Sequence, residues 1–336
     1  MKKKHRFGRI LLRILGALLA LLLLAAAALL ILPLTEGVDR SAVPGSADWM
    51  AELSDDLQLS DLVLPGSHDS ATQYVQLAFF SKFQGLSIGE QLEAGCRYLD
   101  IRLGDAEKGE DFPKLMHGFT KCKTSVLGGT LYLDEVLSQC YAFLTQHPTE
   151  TIVFAVKHEH GDASTADFET VLDGFTSIRP GLWLLSDTIP TLGEARGRLV
   201  LMRRYEDEAR LGERAGIPLL WLDQKGSEAP AQNVEPNGQG AYTLWVQDRF
   251  EYDTENKWTA FEKGMATAEE QRQDGDLAIH FLSTKGPAAY GHPFRYAKML
   301  NARLLRNERL SGWIVLDFFD AELAGRIYSM NFHESV

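Results

Sequence analysis

Cysteine is scarce in this sequence, which has Cys96, Cys122 and Cys140 among 336 residues. An odd number excludes complete pairing, and none of the three lies in a Cys-x-x-Cys or other metal-ligand spacing. Cysteine chemistry therefore gives no indication of a zinc site or of a disulfide scaffold. One disulfide between two of the cysteines remains open, and Cys96 is expected to be a small buried hydrophobic residue.

Basic residues are under-represented beyond the N-terminus. Residues 14–336 contain 28 lysines and arginines against 46 aspartates and glutamates, a net charge of −18. A surface of this sign repels the phosphates of DNA and RNA, so we expect no nucleic acid partner. The same charge argues against docking on anionic lipid by electrostatics alone.

Charge is absent altogether from a long segment near the N-terminus. Residues 1–13 hold six basic residues and no acid, whereas residues 14–35 hold no charged residue and consist mainly of Leu and Ala. At about 1.5 Å per residue, this run can cross a hydrocarbon core of roughly 30 Å. Because a basic flank stays in the cytoplasm, we predict a cytoplasmic tail at 1–13, a transmembrane anchor at 14–35, a linker at 36–50 and an extracytoplasmic domain at 51–330.

A cleaved signal peptide and a buried helix of the globular fold are the competing interpretations of this segment. The apolar core of a signal peptide usually runs about 7–15 residues and ends in a small-x-small site. Here the run is longer, and Ile31–Leu34 follows without an obvious cleavage site. The anchor is therefore favoured, and the protein would be secreted if the segment were cleaved.

The chain after residue 50 lacks repeats and low-complexity tracts and alternates short apolar runs with helical patterns. Helices are predicted at Leu131–Thr145, Phe168–Phe175 and Tyr296–Asn307, and a surface helix near Trp49–Leu53. Such alternation over about 300 residues predicts a parallel sheet, and about eight strands favour closure into a TIM-type (β/α) barrel. The predicted strands are Leu62–Leu64, Tyr98–Leu103, Leu115–His117, Thr151–Lys157, Arg198–Arg204, Leu219–Leu222, Thr243–Gln247, Ala278–Leu282 and Gly312–Asp317.

Ionisable residues stand at the ends of several predicted strands. They are His68 and Asp69, Asp100 and Arg102, Lys157, Arg203 and Arg204, Asp248, and Asp317. In a parallel barrel the carboxyl ends of the strands converge on one mouth, where the active sites of such barrels lie. The pattern therefore predicts an active site built from these side chains.

Two histidines, His68 and His117, each follow an apolar run at such a position. His68 is expected to follow its strand through a Pro65-Gly66-Ser67 turn, which would expose its side chain. Taken alone, either would more often be a structural histidine. Two imidazoles facing one phosphodiester can act as general base and general acid, because their ordinary pKa lies near working pH. An arginine between them can donate paired hydrogen bonds to the phosphate and offset the charge that develops on it.

These residues resemble a known family. The run Leu64-Pro65-Gly66-Ser67-His68-Asp69-Ser70, followed by Asp100-Ile101-Arg102 and His117-Gly118, is similar to the catalytic X domain of bacterial phosphatidylinositol-specific phospholipases C. The resemblance continues through Pro148–Val153 into Lys157, Arg196–Tyr205, Val246–Asp248 and Gly312–Asp317. It covers roughly residues 50–330 in the family's order, and an ordered series is more specific than any one motif.

The resemblance implies a distorted, incomplete TIM-type barrel and a role for each matching residue. His68 would take a proton from the inositol 2-hydroxyl, His117 would protonate the departing diacylglycerol oxygen, Arg102 would hold the phosphate, and Asp317 would orient His68. Asp69 and Asp100 would support the leaving-group side. The residues implied to bind the inositol ring are Lys157, Arg204, Asp248 and, after the second histidine, Gly118. Arg204 is chosen over Arg203 because it immediately precedes Tyr205.

The resemblance also implies a monomer that needs no cofactor and acts at a membrane surface on phosphatidylinositol or a related inositol phospholipid. Metal-dependent relatives place an acidic ligand where this chain has Arg102 and an asparagine where it has Asp69. A guanidinium at that position would repel a calcium ion, so we predict no metal site. Two departures bear on the head group: Phe250 replaces a family tyrosine, and residues 119–130 are unusually long and rich in Lys and Gly.

Four aromatic residues between Gln73 and Phe83 leave two interpretations open. Tyr74, Phe79, Phe80 and Phe83 are expected to form the family's membrane-touching rim, or else the buried face of an amphipathic helix. Two rival functions also remain. One is a metal-dependent glycerophosphodiester phosphodiesterase on the same barrel, and the other is a catalytically inactive binding module for an inositol phosphate.

Overall fold

The computed structural model describes residues 2–41, 43–107, 109, 112–224, 235–238, 242–287 and 291–332. It divides into two compact units, residues 1–37 and 38–336. The first unit contains helix α1 (Lys2–Ile31), continued by a 3₁₀ turn at Leu32–Leu34. Its segment Gly8–Leu34 is long and apolar enough to cross a membrane, a property that signal sequences share.

The second unit is an α/β barrel. Its strands are β1 (Leu64–Ser67), β2 (Tyr98–Gly104), β3 (Lys114–His117), β4 (Thr120–Lys121), β5 (Ile152–His160), β6 (Trp183–Leu184), β7 (Leu199–Arg203), β8 (Ile217–Pro218), β9 (Glu235–Gly238), β10 (Thr243–Gln247), β11 (Leu277–Phe281) and β12 (Trp313–Leu316). Its helices are α2 (Ala78–Ser81), α3 (Ile88–Glu93), α4 (Leu133–Gln146), α5 (Thr165–Ile178), α6 (Leu192–Ala195), α7 (Thr254–Gln271), α8 (Pro293–Leu304) and α9 (Ala321–Tyr328). Short 3₁₀ helices lie at Ser46–Glu52, Leu59–Asp61, Pro180–Leu182, Gly212–Ala215 and Ser329–Phe332.

The strands form one curled sheet in the order β6-β7-β5-β2-β1-β12-β11-β10-β9. Neighbours from β6 to β10 pair in parallel, whereas β9 is antiparallel to β10 and the hairpin β3–β4 extends antiparallel from β2. Within the described ranges no ladder joins β8 to β10. The gap is crossed by the Tyr242 hydroxyl, which donates to the Pro218 carbonyl, and by Gln224 Nε2, 3.2 Å from the Val246 carbonyl. The barrel is therefore incomplete, as the resemblance implied.

Alternating residues of each strand face two separate cores, as the period of a β-strand requires. Val153, Val200, Val246 and Val315 fill the barrel interior. Their neighbours, such as Phe154 and Leu316, pack outward against the helices. Since both faces are covered, the strands are apolar almost throughout.

Three local predictions were wrong. Strand β1 begins at Leu64, so the expected turn Pro65–Ser67 is strand; Gly66 is required there because an added Cβ would lie 2.9 Å from Tyr98 Cβ. The strand predicted at Leu219–Leu222 is replaced by the short β8 just before it. The surface helix expected near Trp49 is a 3₁₀ helix whose Trp49 and Met50 are buried. The domain boundary at residue 50 stays a prediction.

Candidate active site

His68 stands at the mouth of the barrel, immediately after β1. Its backbone N–H donates to the Leu316 carbonyl of the neighbouring strand at 2.8 Å, and its side chain is fixed by Asp317, which follows that strand. His68 Nδ1 lies 2.8 Å from Asp317 Oδ1. The ring edges of Phe83 and Phe281 pack against the imidazole, with centroids 5.0 and 6.2 Å away. Orientation and burial of His68 therefore come from three other elements of the fold.

His117 reaches the same place from the end of β3. Its Nδ1 lies 2.8 Å from Asp69 Oδ2, and that same oxygen lies 3.3 Å from His68 Nε2. Asp69 adopts a left-handed backbone conformation with φ of 44°, which turns its carboxylate towards both rings. Phe83 packs against both histidines, at 4.6 Å from His117. The two imidazoles therefore share one carboxylate and one aromatic wall.

Arg102, on β2, contacts His68 and three carboxylates. Its Nε is 2.9 Å from Asp69 Oδ1, its Nη2 is 3.0 Å from Asp100 Oδ2, and its Nη1 is 3.4 Å from Glu159 Oε1. Arg102 Nη2 also lies 2.9 Å from His68 Nε2. Since a guanidinium has only donors, a neutral His68 accepts at Nε2 and carries its proton on Nδ1, towards Asp317. That tautomer is the one a general base needs.

Burial and charge shift the pKa values of this group in opposite directions. Burial lowers the pKa of His68, but the carboxylates of Asp69 and Asp317 outweigh it, and the pKa is raised above its ordinary value. Burial raises the pKa of Asp69, but Arg102 and the two histidines more than offset it and leave that pKa lowered. For Asp317 burial dominates, and its pKa is raised despite the attraction of His68. Asp69 is therefore held ionised, and His68 is made a stronger base.

Asp100 lies on β2, two residues before Arg102. Its carboxylate accepts from the Asp69 N–H at 3.1 Å and pairs with Arg204 Nη1 at 3.2 Å. Burial raises the pKa of Asp100, but Arg102 and Arg204 reverse that effect and lower the pKa strongly. Asp100 therefore contacts Arg102 and Arg204. Asp69, in contrast, contacts His117.

The expected ring-binding residues line one cavity of about 560 Å³ together with both histidines and Arg102. Arg204 stacks on Trp221 with its Cζ 3.9 Å from the ring centroid, and Trp221 Nε1 donates to Asp248 Oδ2 at 3.1 Å. Lys157 Nζ lies 2.7 Å from Glu159 Oε2. Gly118 and Phe250 also line this cavity. Arg203 does not, because its guanidinium bonds to the carbonyls of Gly216 and Tyr205.

Two residues of the site were missed by sequence reasoning. Glu159 contacts Arg102, accepts from the Gly118 N–H at 3.0 Å and pairs with Lys157. The signal was present, because residues two apart on β5 share a face and Glu159 is two residues after Lys157. Trp221 lies outside any regular element, so no periodicity could assign it to Arg204 and Asp248.

The aromatic segment divides between the two interpretations. Phe83 is buried between the histidines, whereas Phe80 is exposed and lines the cavity beside the exposed Leu77. Tyr74 and Phe79 are half-buried, and the helix in this segment, α2, is only four residues long. The amphipathic helix was therefore wrong, and the rim remains a prediction carried by Phe80 rather than by all four aromatics.

The three cysteines belong to the hydrophobic core. Cys96, Cys122 and Cys140 are free and buried, so no disulfide joins them. In the described part of the chain, no group of three or more His, Cys, Asp or Glu side chains could hold a metal ion. Asp69, which contacts both histidines, also pairs with Arg102. The absence of a metal requirement stays a prediction.

Comparison with known proteins identifies what this arrangement is similar to. Residues 59–205 match the family described as phosphatidylinositol-specific phospholipase C, X domain. The 1-phosphatidylinositol phosphodiesterase of Staphylococcus aureus (strain Newman) is 26% identical over 290 residues, 81% of this chain and 88% of that protein. The protein of the same name from Listeria monocytogenes is 29% identical over 84% of each chain. A solved structure of the phosphatidylinositol-specific phospholipase C of S. aureus has a TM-score of 0.68 at 22% identity, covering 84% of this chain and 97% of that one.

Proposed function

This chain belongs to the phosphatidylinositol-specific phospholipase C family, and we propose that it cleaves phosphatidylinositol-type lipids to diacylglycerol and a cyclic inositol phosphate. General acid–base catalysis by His68 and His117 drives the reaction without a metal ion. One observation carries this proposal: both imidazoles contact the same Asp69 oxygen, with Arg102 beside them at the open end of the barrel.

The reaction begins within the substrate. His68 Nε2 takes the proton of the inositol 2-hydroxyl, and that oxygen attacks the phosphorus to form a cyclic phosphodiester. The bond from phosphorus to the diacylglycerol oxygen breaks, and His117 supplies the proton this oxygen needs. Because the nucleophile already belongs to the lipid head group, its effective concentration is high and no metal-bound water is required. Each histidine therefore transfers one proton.

Arg102 has two tasks in this mechanism. Its guanidinium offsets the negative charge that builds up on the phosphate oxygens in the transition state. It also neutralises Asp69, Asp100 and Glu159, which would otherwise repel an anionic lipid. The second task argues against the rival metal-dependent phosphodiesterase, because the Arg102 guanidinium already occupies the place among these three carboxylates that a metal ion would need.

We expect phosphorus NMR of the purified protein with phosphatidylinositol in detergent micelles and EDTA to show a cyclic inositol phosphate signal. The in-line attack of a neighbouring hydroxyl makes the cyclic diester the first product, and a metal-free site does not respond to a chelator. A parallel sample with added calcium serves as the control. If EDTA removes the signal, or a glycerol-containing phosphate accumulates instead, the metal-dependent rival is correct, and no turnover at all would favour the binding module.

The pH dependence of the reaction reports on His68. Since the Asp317 carboxylate raises the pKa of His68, Asp317→Asn should lower that pKa. The base must be neutral, so the acidic limb of the kcat/KM profile should move to lower pH, while its plateau falls by at least about tenfold because the imidazole loses its orienting partner.

The matched control for this prediction is Asp105→Asn. Asp105 pairs with His158 at 2.9 Å, outside the cavity, so its loss removes a similar pair without touching the site. An acidic limb that stays fixed in Asp317→Asn would show that Asp317 does not act through His68.

The membrane location follows from the N-terminal helix. A basic N-terminal flank and the 27-residue segment Gly8–Leu34, which is uncharged from residue 14 onwards, support a single span with the N-terminus inside and the barrel outside. The exposed side chains of Leu77, Phe80 and Phe119 surround the cavity and offer an apolar contact for lipid. These features support an anchored enzyme that acts at a membrane surface, and the monomer stays a prediction.

A further inference from the structure

The second unit begins on the mouth face of the barrel. Val38 is its first residue and packs on the core, seated on Gly85 so closely that a Cβ at Gly85 would collide with the valine. Arg40 Nη2 donates to the Gly85 carbonyl at 2.8 Å, and Nη1 pairs with Glu90. Gly85 lies between β1 and α3, and Glu90 is in the first turn of α3. Because strand-to-helix connections lie at the carboxyl ends of barrel strands, the chain enters the barrel beside its mouth.

This entry point adjoins the wall that holds both catalytic histidines. Gly85 is two residues after Phe83, and two residues span at most about 7 Å. The Phe83 ring packs 5.0 Å from the ring of His68 and 4.6 Å from that of His117. Gln84, between Phe83 and Gly85 in the sequence, donates to the His68 carbonyl at 2.7 Å. The chain is therefore fastened to the barrel next to the reacting groups.

Few residues separate this point from the membrane-spanning segment. The apolar segment ends at Leu34, and only residues 35–37 precede Val38. Four Cα steps cover at most about 14 Å. A barrel of 300 residues is about 50 Å across, from its expected radius of gyration. By chain length alone, the tether is therefore much shorter than the barrel is wide.

Exposed apolar side chains lie on connections of the same face. Leu77 and Phe80 belong to the connection between β1 and α3, and Phe119 and Leu127 to the connection between β2 and α4. Leu127 is 94% exposed and Phe119 73%. Exposed apolar side chains can contact lipid by burial of apolar surface. This contact does not require a positively charged surface, which this acidic chain does not have.

We propose that the enzyme acts in cis, on phosphodiester lipids in the outer leaflet of the bilayer that holds its own anchor, and not on lipids of a facing membrane. The proposal rests on the function proposed above and adds the location of the substrate. It follows from a short tether, an entry point beside the catalytic wall and an apolar rim on one face.

The test reconstitutes the full-length protein into vesicles and mixes them with protein-free acceptor vesicles. Phosphatidylinositol with a different isotope label is introduced by lipid exchange into the outer leaflet of each population, so barrels that face the lumen meet no substrate. The expected result is that lipid in the protein-bearing vesicles is cleaved at least about tenfold faster than lipid in the acceptors. Equal initial rates in the two populations would overturn the cis proposal.

A longer tether supplies the second arm. Thirty Gly/Ser residues inserted after Gly37 add an r.m.s. reach of about 30 Å, so cleavage of acceptor lipid should rise at least about fivefold. The matched control carries the same thirty residues at the N-terminus, on the other side of α1, and should behave like the unmodified chain. Acceptor cleavage that does not respond to the insertion would show that tether length is not what restricts the enzyme.

Detergent micelles separate this proposal from the proposed function. In micelles the distinction between own and facing bilayer disappears, and all three chains should cleave phosphatidylinositol at rates within about twofold of one another. Cleavage in micelles with equal rates in both vesicle populations refutes action in cis and leaves the lyase activity standing. No cleavage in micelles refutes the proposed function itself.

Discussion

Replacing His68 with alanine is expected to lower kcat/KM for phosphatidylinositol by about 10³-fold or more, within the range of roughly 10²–10⁴ that a positioned general base contributes. His68 Nε2 accepts from Arg102 and Nδ1 faces Asp317, and among the described side chains that line the cavity no other presents a ring nitrogen in this orientation. The inositol hydroxyl must otherwise lose its proton to water. The measurement is the initial rate of cyclic product formation in micelles at saturating and sub-saturating lipid.

His147→Ala is the matched control for this loss. His147 also pairs with an aspartate, Asp48, at 2.7 Å and stacks on Phe143, but it follows the end of α4 and does not line the cavity. Its removal should leave kcat/KM within about twofold of the unmodified protein, since His147 contacts neither the cavity nor the two catalytic histidines. If His68→Ala retained more than a tenth of the activity, His68 would not be the base.

Much of the fold follows from patterns in the sequence. The apolar runs of β5, β7, β10, β11 and β12 are bounded by turns and separated by helical stretches, so their existence and parallel pairing were predictable. What failed was local. Pro65 and Gly66 were predicted to form a turn because proline and glycine usually interrupt strands. In the structure Gly66 lies in β1 because Tyr98 of the neighbouring strand leaves no room for a Cβ, and this contact is not visible in the sequence.

The residues that form the site could be predicted from the sequence more readily than the contacts between them. Residues at strand ends must meet at one mouth, so the convergence of His68, Arg102 and Asp317 could be derived from the strands alone. Contacts made by loops could not. Phe83 was assigned to a rim or a helix face because no periodicity places it, and the structure shows that it packs between the two histidines. Trp221 could not be predicted from the sequence for the same reason.

Arg102→Lys is expected to lower kcat/KM by about 10²–10³-fold, the range seen when one pre-organised donor to a developing oxyanion is lost. Lysine keeps the positive charge but is a single point donor on a flexible stem, whereas the guanidinium is a rigid fork. Arg102 uses that fork to contact Asp69, Asp100 and His68 at once. The ammonium cannot reach all three, so the phosphate and the neutral tautomer of His68 both lose support.

Folding must be separated from catalysis in this variant, because Asp69 and Asp100 are fully buried and depend on the arginine. Removing one partner of a buried ion pair costs about 3–5 kcal/mol, and a lysine that keeps the charge should lose less. Arg196→Lys is the control: Arg196 also binds a carboxylate, Asp55, and three carbonyls, but it lies outside the cavity. Both variants should unfold at lower denaturant concentration, and only Arg102→Lys should lose activity at 25 °C. A value of kcat/KM within fivefold of the unmodified protein would mean that Arg102 acts through its charge alone, because the geometry of the fork is the only property that lysine cannot replace.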